Sequence, residues 1–150
     1  MSSSRVEEEL RRLSVEIRFL EQTAEALSSR INMVNAAIAD LTYAMMTMEG
    51  LEKQKGSMEI LVPIGGNSYI NAKIENVDKV TIGIGAGVSV EKSLQEAKEI
   101  INRRLEELEK SRDSLQQQLS QVAEKINEDR ERFEELAAKI TAKETPSKNV

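Results

Sequence analysis

Val80-Thr-Ile-Gly-Ile-Gly-Ala-Gly-Val-Ser-Val90 is the stretch whose residue types and spacing point most directly to ligand chemistry. Gly83, Gly85 and Gly87 follow an apolar run and precede a helical pattern, the order in which a phosphate cradle is built. Glycines there let backbone amides approach a pyrophosphate at a helix N-terminus. The dinucleotide fingerprint, however, needs Gly-x-Gly-x-x-Gly opening straight into a helix. Here the third position is Val88, and Val88-Ser-Val90 reads as strand before any helix begins. A Gly-x4-Gly-Lys-Ser/Thr loop is absent. The glycines are therefore read structurally: they relieve crowding where a strand bends or another backbone approaches, and Gly87 completes a hairpin turn.

The rest of the composition narrows the chemistry further. The 150 residues include no histidine and no cysteine. Imidazole bases, Ser-His and Cys-His nucleophiles, disulfides and the usual zinc ligands are thereby excluded. No catalytic, cofactor-binding or metal-binding residue is assigned, and the expectation is a protein that is not an enzyme. A net charge of −5 supplies no basic surplus to neutralise phosphates, so nucleic acid is not an expected partner. No apolar run approaches membrane-spanning length, and Met1-Ser-Ser-Ser-Arg5 leads into charges rather than a signal-peptide core. A cytoplasmic protein without a membrane partner is expected. Charged residues make up 31% and aromatics only 3%, which suits long helices better than a compact core.

Residues 5–52 carry the first such helix. Val6, Leu10, Leu13, Ile17, Leu20, Ala24, Leu27, Ile31, Val34, Ile38, Leu41, Met45 and Met48 recur in steps of four and three. That spacing keeps one narrow stripe facing a partner helix under left-handed supercoiling. Ser4-Arg-Val-Glu7 fits a capping box. Residues 94–143 repeat the pattern from Leu94, Ala97 and Ile101 to Phe133, Leu136 and Ile140, with a stutter around Ile101. Ser93-Leu-Gln-Glu96 is a second capping box, and Glu106/Lys110, Glu128/Arg132 and Glu135/Lys139 are spaced for ion pairs one turn apart. Residues 144–150 read as a disordered tail.

Between the helices, over 58–91, the apolar period changes from 3.5 to 2. Ile60/Val62/Ile64, Ile70/Ala72/Ile74, Val80/Ile82/Ile84 and Val88/Val90 alternate, with turns at Gly65-Gly66-Asn67, Asn76-Val-Asp78 and Ala86-Gly87. Four short strands in two hairpins follow, with Pro63 placing its strand at an edge or a bulge. Two helices of similar length on either side must run back antiparallel, in a register where paired residue numbers sum to about 145 at 1.5 Å per residue. Each arm is then roughly 70 Å long, and both chain ends lie together. The fold expected over 1–150 is a single, mostly α domain: a long antiparallel two-helix coiled coil with two central β-hairpins.

Hairpins on a thin rod leave strand edges and an apolar face uncovered, and an isolated hairpin is marginal in water. Closing a barrel with other chains' strands removes those edges. The oligomerisation set is Ile60, Val62, Ile64, Ile70, Ile74, Val80, Ile82, Ile84 and Val88, whose stripes could instead pack against the chain's own second hairpin. At the chain ends, Val6, Leu10, Leu13, Phe133, Leu136 and Ile140 either close the last turns of the seam or, as those turns open, meet an apolar client; the two roles are compatible. Phe19 lies off the seam and is expected to face solvent or a client. Asp129 sits at a seam position about one turn from Arg18, so an ion pair fixing the register is expected. Arg112 is expected to reach its charge outward past an apolar stem.

The order helix, Glu59-Ile-Leu-Val-Pro-Ile-Gly-Gly-Asn-Ser-Tyr69, Lys79-Val-Thr-Ile-Gly-Ile-Gly-Ala-Gly-Val-Ser-Val90, Glu91-Lys-Ser-Leu-Gln-Glu-Ala97, helix resembles the alpha subunits of archaeal prefoldins. The resemblance covers nearly the whole chain, and the hairpin segment is its specific part. It implies a hexamer of two alpha and four beta subunits with a double β-barrel body and hanging stalks. It further implies an ATP-independent chaperone that holds non-native polypeptides at the stalk tips and delivers them to a group II chaperonin. The alternatives are a coiled-coil spacer or scaffold, or a prefoldin-like chain that assembles with itself into filaments.

Overall fold

A computed structural model describes residues 2–54, 56–75 and 77–144. The elements run α1 (Ser3–Lys53), β1 (Met58–Gly65), β2 (Ser68–Ile74), β3 (Lys79–Gly85), β4 (Val88–Ser93) and α2 (Leu94–Glu144). Two helices of 51 residues therefore flank four short strands. The helix reaches Glu144, one residue past the expected boundary, and the rest of the anticipated tail lies outside the described residues.

The two helix starts differ. Before α2, the Glu96 amide donates to Ser93 Oγ at 3.1 Å, so Ser93 caps the helix as its box predicts. The Leu94 amide donates to the Asp78 carbonyl at 3.2 Å, tying that start to the loop after β2. At the other end the expected box at Ser4 does not form, because α1 already begins at Ser3. The Arg5 amide bonds the Ser2 carbonyl at 3.1 Å instead, and Ser4 Oγ pairs with Ser2 Oγ. Three serines in a row offer alternative starts, and the helix takes the earlier one.

β1 pairs antiparallel with β2 and β3 with β4, each as a separate two-stranded sheet. Both tight turns have two residues at positive φ, Gly66 with Asn67 (55° and 58°) and Ala86 with Gly87 (52° and 74°), which matches the right-handed twist of the flanking strands. In both hairpins the register shifts just before the turn, between Pro63 and Gly65 and between Gly83 and Gly85. Pro63 thus stands beside a bulge, one of the places where a strand tolerates a residue without an amide donor. Gly85 has φ +108°, a region that side chains rarely enter, but a Cβ at Gly83 or Gly85 would meet nothing within 4 Å. Backbone conformation, not crowding, requires the glycine at 85. The anticipated turn at Asn76-Val-Asp78 has Asn76 outside the described residues.

The described residues form two compact units. One is Asn35–Lys110, in which Met48, Ile82, Ala97 and Ile101 are buried together, with Leu41, Met45, Val80 and Leu94 against them. The other combines the stretch up to Val34 with the stretch from Ser111. It contains one cluster around Leu27, Ile31 and Leu115 and another around Val6, Leu13 and Leu136. In both units the buried helix side chains are seam residues of facing helices, as the heptad spacing predicts, and Ile82 of β3 joins them in the first.

Candidate functional site

The seam places the chain-end residues first. Leu10, Phe133 and Ile140 pack, partly buried, on the buried trio Val6, Leu13 and Leu136, so all six expected seam residues of this end share one cluster. A groove of about 560 Å³ runs beside it, floored by Val6, Leu136 and Ile140 and rimmed by Glu7, Arg132 and Lys139. The apolar floor is thus reachable from solvent at the end of the helix pair. Phe19 stands apart from the cluster at 65% exposure, with its ring off the seam as its position predicts.

Polar contacts hold the helices of this unit in register. Arg130 of α2 donates to Glu21 of α1 at 2.6 Å, and Lys125 lies 3.8 Å from Glu16. Asp129 is buried at 3% exposure on the seam. Its Oδ1 lies 3.2 Å from Lys125 Nζ, one turn back on its own helix. The expected pair with Arg18 is not formed, because Lys125 reaches the carboxylate from the same helix without crossing the seam. Asp129 Oδ2 is buried with no hydrogen-bond partner. The hydrogen bond to Asp129, its charge and that of Glu16 hold the Lys125 ammonium above its ordinary pKa. Of the pairs expected along α2, Arg132 turns forward to Glu135 at 3.7 Å rather than back to Glu128. Arg112 is partly buried, with its guanidinium 4.0 Å from Asp113, in keeping with a charge carried outward along an apolar stem.

In the other unit the hairpins are held unequally. Ile82 of β3 is buried among Met48, Ala97 and Ile101, and Arg104 donates to the Gly83 carbonyl at 2.7 Å. Lys98 bridges to Glu52 at 2.7 Å, and that carboxylate raises the Lys98 pKa from its ordinary value. The β3–β4 hairpin is thereby docked on its own helices. Ile82, and Val80 in part, are consequently removed from the surface expected to meet another chain: alternation puts both on one face of β3, and that face packs on Met48, Ala97 and Ile101.

The β1–β2 hairpin, among the described residues, contributes no buried side chain. Val62, Ile64 and Ile70 are exposed, as are Ile84 and Val88 near the tip of the second hairpin, while Ile60 and Ile74 are half-buried. Leu61 and Tyr69 are also exposed, at 63% and 58%. The period-2 reading missed them because they occupy the alternate positions, in register with Asn71 and Pro63. The first hairpin is therefore apolar on both faces near its tip. On α1 the off-seam residues Val15, Met33, Tyr43 and Met46 are exposed as well, a feature visible only by tracking the positions behind the seam.

Among the described residues, no group of acidic side chains gathers as a metal site, and no helix is long and apolar enough to cross a membrane.

Comparison with known proteins completes the picture. The family model described as prefoldin subunit matches residues 5–139. "Prefoldin subunit alpha" of Methanococcoides burtonii is 37% identical over 120 residues, covering 80% of this chain and 87% of that protein. "Prefoldin subunit alpha" of Methanosarcina mazei is 35% identical over 138 residues, covering 90% of this chain and 94% of that protein. Among solved structures, the cryo-EM structure of filamentous PFD from Methanocaldococcus jannaschii is similar with a TM-score of 0.66 at 27% identity, over 77% of this chain and 95% of that one. Helices, hairpins and the matched segment coincide, and the chain belongs to the prefoldin family, among subunits of the alpha type.

Proposed function

We propose that this chain is the alpha-type subunit of a chaperone that holds non-native polypeptides without ATP and delivers them to a group II chaperonin. Membership of the prefoldin family supports a chaperone subunit that assembles with others. The observation that carries the finer reading is the cluster of Val6, Leu10, Leu13, Phe133, Leu136 and Ile140 at the chain-end limit of the helix pair. A client's apolar segment meets it there when the terminal turns open, and Phe19 adds an aromatic contact outside the seam. The exposed apolar residues of the hairpins are the surface through which two copies join four beta subunits in the cytoplasm. Binding and release need no catalytic group, so the chain is not an enzyme.

The test is suppression of aggregation of an unfolding protein, without nucleotide, by the chain mixed with a beta-type partner. Suppression at stoichiometric amounts is expected. Loss of client protection in an assembly of confirmed mass would refute the holding role.

A second reading is favoured by the similarity to a filamentous PFD. In it the same hairpin surface joins copies of this chain to one another. Electron microscopy and native mass measurement of the chain alone distinguish the two, since long assemblies without a partner support self-association.

A further inference from the structure

The unit formed by the two chain ends contains two apolar clusters, one around Val6, Leu13 and Leu136 and one around Leu27, Ile31 and Leu115. Between them in sequence on α2 stands Asp129, buried at 3% exposure. Lys125 serves one carboxylate oxygen, and the other has no partner. A buried acceptor without a donor has lost its water and gained nothing in return. A polar side chain at a coiled-coil seam position lowers stability relative to an apolar one, even when it helps set the register. Lys125 compensates only in part, since its ammonium is shared with Glu16 and half-exposed. Separating the helices from their ends back to this layer rehydrates the carboxylate; separating them further breaks the second cluster.

We propose that Asp129 is a release point that lets the terminal cluster detach as one piece, with the cluster around Leu27, Ile31 and Leu115 as the stop. Opening then uncovers the six apolar residues of the end together. The functional meaning of this motion rests on the client-binding role proposed above, but the motion itself does not.

Hydrogen exchange read by mass spectrometry on the full chain in its assembled form tests it. Asp129→Leu fills the layer with an apolar side chain. Amides of 3–14 and 131–143 are expected to exchange about tenfold more slowly, the factor corresponding to an unsatisfied buried carboxylate oxygen. Amides of 27–34 and 111–122 are expected to change little. Lys125→Met removes the ion-pair partner and should speed exchange in the same end segments about threefold. Unchanged or faster end exchange in Asp129→Leu overturns the release point, as does unchanged exchange in Lys125→Met. Slower exchange in Asp129→Leu with weaker client holding supports both the release point and the client site. Slower exchange with undiminished holding supports the release point and places the client surface elsewhere.

Discussion

Phe19 and Leu136 separate two contributions at the chain-end limit of the helix pair. Phe19 is exposed and touches no buried cluster, so Phe19→Ser should leave the melting temperature within about 1 °C while weakening client protection, since solvent-facing substitutions cost little stability. Leu136 is 3% exposed, and Leu136→Ala should cost about 2 kcal/mol of local stability and quicken exchange at both chain ends. Aggregation assays and hydrogen exchange on the two variants check this. The lysines give a pH dependence of defined sign. Lys98 and Lys125 both have pKa values raised by carboxylate partners. Their stabilisation is fully present below the unfolded value near 10.5 and is lost as pH rises through the higher folded values. Thermal melts should therefore hold steady through neutral pH and decline above about 10.5, less so in Lys125→Met, whose pair is already gone.

At the scale of elements, the two hairpins share a turn but differ in attachment. Gly85 is held at φ +108° in open space, so Gly85→Val should cost about 1–3 kcal/mol from conformation alone. Gly83→Ala, with neither a positive φ nor a neighbour within 4 Å, should stay within about 0.5 kcal/mol. A crowded Gly83 would give a larger loss, so thermal midpoints of the pair distinguish backbone conformation from close approach. Ile70→Asp should abolish assembly while leaving helix content unchanged, because Ile70 is exposed in the single chain. Ile82→Asp should instead lower helix stability, since Ile82 belongs to the cluster with Met48, Ala97 and Ile101. Circular dichroism and native mass measurement of both variants check the contrast.

The same elements show what was legible beforehand. Thirteen seam residues from Val6 to Met48, in steps of four and three, specify a helix and its buried stripe, because the period leaves no other face to bury. Gly66-Asn67 and Gly87 mark the hairpin turns, because glycine and asparagine tolerate the positive φ these turns need, while Ala86 takes φ 52° without that preference. Period alone, by contrast, says which residues share a face and not what that face meets. Ile82 and Ile70 look alike in the alternation, yet one meets its own helices and the other solvent. Ion-pair choice at Asp129 was equally hidden: Lys125 and Arg18 are both within reach by spacing, and only the rotamer decides. The phosphate-loop resemblance around Gly83 dissolved for a physical reason, since Val88–Ser93 continues as strand to the foot of α2.

For the whole molecule, the uncovered residues of β1–β2 set the requirement for company. Val62, Ile64, Ile70, Leu61 and Tyr69 put an apolar surface on a hairpin that contributes no buried residue of its own. Two-stranded sheets of this kind are marginal in water. The chain should accordingly remain associated on dilution to micromolar concentration, alone or with a beta-type partner, as native mass measurement would show. A well-ordered monomer there would contradict the assembly through the hairpins.

The first hairpin, with no fully buried side chain, also has an implication for a copy that has not yet assembled. A copy synthesised without companions carries an adhesive margin that nothing on its own backbone can shield. Apolar surface left bare in this way invites contact with whatever other apolar surface it meets first, so an unassembled copy should be stickier than an assembled one.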